Sequence, residues 1–209
     1  MTPSPASPRM AKAAILSIDP ITQQTKSIKL QYNPEEISRS LTPRIKGGSE
    51  GGSRSEVMRI EGVPQETITL KVEIDAVDQL NQGDHSAGQM GIYPQLSALE
   101  LLVYPSSASV ISAKDLLSRG TMEILPPMAP LTLFFWGPNR IVPVKLTSIT
   151  INETYHDANL NPISAEVSLS MQVLSYSDLP SEHPGFFKFQ THHKMKEGMA
   201  KLAKNIQNI

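Results

Sequence analysis

Along residues 163–173 apolar and polar side chains alternate without a break: Ile163, Ala165, Val167, Leu169, Met171 and Val173 against Ser164, Glu166, Ser168, Ser170 and Gln172. Successive strand side chains point to opposite faces, so this period of two calls for an antiparallel strand with one dry and one wet face. Just upstream, residues 141–151 read as a second β run, with Val144, Leu146, Ser148 and Thr150 set against Lys145, Thr147, Ile149 and Ile151. The turn formers of Tyr155-His-Asp-Ala-Asn-Leu-Asn-Pro162 lie between the two runs and predict a long hairpin. A third alternating run, within residues 65–78, carries Ile68, Leu70, Val72, Ile74 and Ala76 opposite Thr67, Thr69, Lys71, Glu73 and Asp75. It is expected to neighbour the hairpin in one sheet.

The rest of the chain fits around these strands. Residues 1–10 are rich in proline and serine and form an arm expected to be disordered in isolation. Residues 13–19 and 27–32 read as an N-terminal hairpin, stopped by Asn33-Pro34, after which a loop is expected. Residues 46–55, Lys-Gly-Gly-Ser-Glu-Gly-Gly-Ser-Arg-Ser, offer nothing apolar to bury and read as a mobile loop. Residues 81–91 also read as a loop. Leu96, Leu99, Leu102 and Val103 then recur at helical spacing between Pro94 and Pro105, which predicts one helix capping an open end or face of the sheet. Residues 106–120 carry no clear pattern, and Leu125-Pro-Pro-Met-Ala-Pro130 reads as a rigid lead into the strand at Leu131.

No constellation of side chains announces chemistry. The chain has no cysteine, which removes disulfides, thiolate nucleophiles and cysteine-based metal sites. Gly47-Gly-Ser-Glu-Gly51 matches the spacing of a nucleophile elbow, but the buried strand and following helix that an elbow requires are missing around it. The same stretch has Ser53 where a phosphate loop needs lysine. His85, His156, His183, His192 and His193 read as surface residues, not a metal site. Glu35-Glu36 and Asp75/Asp78 read as solvated charges. Asn152-Glu-Thr154 has the pattern of a glycosylation sequon, without a secretory signal to give it meaning. Trp136 is assigned to core packing at the sheet. No cofactor and no metal are expected, and the chain reads as a cytoplasmic product that is not an enzyme.

Charge is divided unevenly. Residues 186–209 hold five lysines and one glutamate, a net +4, so with −1 for the whole chain the preceding 185 residues carry −5. Residues 179–185 read as a proline-containing linker. Beyond it Phe186, Phe187 and Phe189 precede an amphipathic helix with Met195, Met199, Leu202 and Ile206 on one stripe, and these seven residues are the candidate partner-binding set. Docking of this stripe on another protein, not on the chain's own domain, is the favoured reading. An anionic membrane or nucleic acid is the alternative, disfavoured because the tail lacks arginine.

The order of these pieces resembles the tube-type baseplate proteins of contractile injection systems, which are phage-tail-like machines. The likeness rests on Leu30-Gln-Tyr-Asn-Pro34 closing the first hairpin and on Gly91-Ile-Tyr-Pro94 opening a leucine helix that ends at Pro105. It continues through Pro126-Pro127 before Leu133-Phe-Phe-Trp-Gly137 and the closing hairpin that returns through Asn161-Pro162-Ile-Ser-Ala165, and it spans about residues 11–178. The resemblance implies a mainly β domain at 11–178, a tube-type antiparallel β-barrel or sandwich with one capping helix, followed by the C-terminal amphipathic helix. It further implies a homo-hexameric ring that joins the spike hub to the inner tube and initiates tube assembly, with spike or hub protein, inner tube protein and other baseplate proteins as partners. Many members carry a LysM module after this domain, where this sequence has the Phe-rich basic tail.

Residues 46–55 are expected to be cleaved readily by added protease in free protein and protected in an assembled particle, because neighbouring rings would supply partners that the segment's own composition cannot. Gel analysis of the fragments reads this out, and equal cleavage in both states would contradict it.

Overall fold

The computed structural model describes residues 11–18, 24–44, 62–105, 107, 110, 111 and 130–203. Seven strands form one antiparallel sheet in the order β2-β1-β5-β6-β7-β4-β3. They are β1 (Ala14–Ile18), β2 (Thr25–Lys29), β3 (Ile37–Thr42), β4 (Gln65–Asp75), β5 (Leu131–Phe135), β6 (Ile141–His156) and β7 (Pro162–Val173). The expected mainly β, antiparallel architecture is present, and the sheet is open, with β2 and β3 as its two edges and no closure into a barrel. Helices cover the apolar face that closure would otherwise bury.

The alternating runs pair in register. Ile68, Leu70, Val72 and Ile74 of β4 lie opposite Met171, Leu169, Val167 and Ala165 of β7, all at most 6% exposed. One residue out of phase, Thr69 meets Ser170, Lys71 meets Ser168 and Glu73 meets Glu166, so the second face is polar throughout. The opposed Glu73 and Glu166 repel, and Lys71 offsets this with a diagonal ion pair to Glu166 at 3.0 Å.

β6 holds both faces only because it changes phase. Leu146 pairs with Met171 but Ser148 pairs with Ser170, leaving Thr147 as an extra residue in a bulge. Val142, Val144 and Leu146 are therefore inward before the bulge, and Ile149 and Ile151 pack against the core after it. The Thr147 hydroxyl donates to the Ser170 carbonyl at 3.1 Å, securing the irregular step.

Two groups of helices cover the apolar face at opposite ends of the central strands. Near the start of β7 lie α1 (Val77–Asn81), α2 (His85–Met90) and α3 (Tyr93–Glu100), which bury Ala87, Ile92, Leu96 and Leu99. Near its end lies α4 (Pro184–Lys201). The loop expected over residues 81–91 is thus replaced by α2 and the end of α1. Asp84 explains why α2 forms: its carboxylate accepts from the N–H groups of Ser86 at 2.8 Å and Ala87 at 3.2 Å, an N-cap. The expected α3 buries Leu96 and Leu99 as its spacing required, with Leu102 buried just beyond its end, whereas Val103 stays outward. Strand β3 occupies the stretch read as a loop after Pro34. The mobile-loop reading of 46–55, the arm at 1–10, Pro126-Pro127 and most of 106–120 lie outside the described residues.

Gly91 joins the helical cover to the hairpin. Its φ of 56° and ψ of −131° suit glycine, and a Cβ there would overlap the Pro162 carbonyl oxygen, which accepts the Ile92 N–H at 2.9 Å. Asn161 reinforces the joint by donating to the Gln89 carbonyl at 3.0 Å. Gly91→Ala is expected to cost at least about 1–3 kcal/mol through backbone strain alone. Urea unfolding of the variant beside wild type measures it.

Candidate functional site

The motif Leu30-Gln-Tyr-Asn-Pro34 builds the body of the domain. Gln31 meets the backbone of Asp75 with both ends of its amide, donating to the carbonyl at 3.0 Å and accepting the N–H at 3.1 Å. Asn33 does the same for the chain start, accepting from Ala13 N–H at 2.9 Å and donating to the Ala11 carbonyl at 3.0 Å. Leu30 is in the core. Beside this motif a cleft of about 610 Å³ opens toward the polar sheet face, lined among others by Tyr32, Glu35, Glu36, Lys71, Glu73 and Glu166. A hydrogen bond to Asp75 pushes the Tyr32 hydroxyl above its ordinary pKa. Glu35 and Glu36 thus share a cleft, while among the described residues no three histidine, aspartate or glutamate side chains converge as metal ligands. Trp136 is half-buried against the core with its ring centroid 5.9 Å from that of Phe134.

The C-terminal segment is placed differently from its expected role. Pro184 stands in the first turn of α4, a position that needs no N–H, and the helix starts inside the stretch read as a linker. The preceding residues are held: Asp178 accepts from the Ser175 hydroxyl at 2.6 Å and pairs with Arg44 at 2.9 Å. Burial alone would push the Asp178 carboxyl up, but its bonds to Ser175 and Arg44 outweigh burial and bring it below the usual range. Phe189 is buried in the core of its own domain, which corrects the expectation that the apolar side of this helix is kept for another protein. Tyr176 explains the capture. Its ring lies 6.3 Å from Phe186, 5.7 Å edge-on from Phe189 and 6.3 Å from His193, in a stacked arrangement.

The candidate residues therefore divide. Phe189 is inward, Phe186 and Met195 are half-buried, and Phe187, Met199 and Leu202 face outward, Leu202 at 80% exposure. Ile206 lies outside the described residues.

Where α4 crosses the start of β4 the structure buries charge. Glu66 is 6% exposed; one of its carboxylate oxygens takes Arg39 of β3 at 2.6 Å and the other Lys196 of α4 at 3.0 Å. Burial by itself would push the Glu66 carboxyl up, yet the hydrogen bonds from Arg39 and Lys196 prevail and hold it below the ordinary range. His192, one turn before Lys196, is 5% exposed, and its Nδ1 has no hydrogen-bond partner among the described residues. Burial, then the Lys196 charge, push the imidazole down to about 4. The surface role expected of His192 is thereby corrected. Arg39, Glu66 and Lys196 come from three separate elements and carry no shared motif, so only the buried pairing reveals them.

No family model and no curated protein matches the chain. Among solved structures, it is similar to a chain in the tail of an empty gene transfer agent particle, computed with helical refinement and C6 symmetry, and to one in the virion of the native gene transfer agent particle. Each shares 12% identity at a TM-score of 0.29, over 77% of this chain and 90% of the other. No helix among the described residues is long and apolar enough to cross a membrane.

Phe189→Ala is expected to cost about 3–5 kcal/mol, the range for an emptied aromatic core site. Phe187→Ala, at an outward position of the same helix, should change stability by no more than about 0.5 kcal/mol. Denaturant unfolding of both variants distinguishes a helix docked on its own sheet from one that is not.

Proposed function

We propose that this protein is a structural baseplate component of a contractile injection system, forming a six-membered ring that joins the spike hub to the inner tube and starts tube assembly. It acts by assembly, not catalysis. The observation that carries the reading is the two-faced sheet. One face is sealed by α2, α3 and α4, while the other presents Thr69, Lys71, Glu73, Glu166, Ser168 and Ser170 as an accessible polar surface. Edges β2 and β3 are the places where the ladder stops. A ring uses such a subunit fully, since edges or loops can meet neighbours while the polar face borders a water-filled passage. The ordered motifs quoted from the sequence support the same reading.

Of the tail, Phe187, Met199 and Leu202 remain outward, and these are the residues proposed to touch another baseplate protein. Lys188, Lys194 and Lys201 are exposed on the same helix, which keeps an anionic membrane or nucleic acid as the second reading.

Reconstruction of assembled particles is expected to show six copies per layer; one or three would overturn the ring. A triple variant with alanine at 187, 199 and 202 should fold normally yet enter particles poorly. Normal incorporation with loss of binding to anionic vesicles would favour the membrane reading instead.

A further inference from the structure

Helix α4 sits on the sheet through an apolar plug, Phe189, and a charged contact at Lys196, about two turns further on. The charged contact is poorly suited to taking up a proton. Around His192 stand Arg39 from β3, Arg140 from the turn before β6, and Lys196 and His193 from its own helix, with Glu66 of β4 as the one carboxylate acting on it among the described residues. Both oxygens of that carboxylate are already engaged by Arg39 and Lys196. A proton on His192 would place a further positive charge on a buried ring already faced by three half-buried cations and one anion, and its Nδ1 has no hydrogen-bond partner among the described residues.

We propose that His192, Glu66 and Lys196 form a proton-sensitive latch, which holds α4 against the sheet at neutral pH and releases it on acidification. The direction follows from linkage. His192 titrates near 6.5 when free and near 4 when docked, so the docked state binds fewer protons and is disfavoured as pH falls from about 6.5 toward about 4. Glu66 supplies the carboxylate that Lys196 pairs with at 3.0 Å, and protonating it would remove that ion pair. Between pH 7.5 and pH 5 the docked-to-free ratio contributed by His192 should fall by up to about 30-fold, since one proton linked over the interval changes the ratio tenfold per pH unit. The central row Val167, Leu169 and Met171 carries no titratable group, so the body of the sheet should stay folded while the helix loosens.

Hydrogen exchange of the full chain, corrected for the intrinsic pH dependence of exchange, tests this at about pH 7.5 and about pH 5. In wild type, amides of residues 188–201 should lose protection at the lower pH while those of 165–171 keep theirs. His192→Phe should remove most of the loss, and His192→Gln serves the same purpose if the phenylalanine variant does not fold. NMR titration of the wild-type His192 ring adds a readout that needs no variant, with a midpoint well below the ordinary histidine value expected. Unchanged protection in wild type, an equal loss in a folded His192 variant, parallel loss from 165–171, or a His192 midpoint near its ordinary value would each overturn the latch.

Discussion

Val167, Leu169 and Met171 stand at the middle of the sheet, and β7 gives each of them an apolar neighbour on both sides. Val167 lies between Val72 and Ile151, Leu169 between Leu70 and Ile149, and Met171 between Ile68 and Leu146. All three are fully buried, and burial of each such side chain is worth about 1.5–3 kcal/mol before the entropy of ordering the chain is counted. Because strand side chains alternate, the residues between these point to the other face, and here they are polar. The central strands β4 and β7 are therefore two-faced, with one face buried and the other accessible, while at β5 both faces are buried, through Leu133 as well as Phe134.

The two helical covers do this in different ways. At the start of β7 the contact is close and uncharged: Gly91 lets the backbone approach Pro162, and Ile92, Leu96 and Leu99 fill the space beneath. At its end, α4 supplies Phe189 but also draws Glu66 out of water. A buried carboxylate is costly unless its hydrogen bonds are satisfied, and here Arg39 and Lys196 satisfy both oxygens. Nδ1 of His192 lies unpartnered beside them, and in the other cover Oε1 of Gln95 is likewise buried without a partner among the described residues.

Much of the fold could be read from periodicity. The runs within 65–78 and at 163–173 alternate clearly enough to show which residues share a face, and the leucine spacing of α3 marks its buried side; in 141–151 the spacing set Ser148 and Thr150 beside Val144 and Leu146, whereas the bulge at Thr147 puts Ile149 and Ile151 there. Other elements gave weaker local signals. Strand β3 has only Ile37 and Leu41 as apolar residues, and Leu41 is exposed; the strand exists because β4 offers it a ladder and Glu66 offers Arg39 a partner. Helix α2 is short and sits among glycine, aspartate and serine, so its one legible sign was Asp84 as a cap. The tail misled in a more instructive way. Its apolar stripe was visible, but a stripe says only that something covers it, and Tyr176 and Val173, which help to form its seat, belong to another part of the chain.

The sequence by itself determined the two-faced strands, the hairpin turn, the position of α3 and the amphipathic character of the tail, because each depends on spacings of two to four residues along the chain. Only the tertiary structure decided that the sheet stays open, that β6 shifts phase at Thr147, that α4 turns back onto its own domain, and that Arg39, Glu66, His192 and Lys196 meet. Those outcomes depend on competition between surfaces far apart in sequence. Phe189 buries on the sheet because the space beside Val173 lies within reach of its helix, and Glu66 ionises in the interior because two cations from separate elements arrive at its two oxygens.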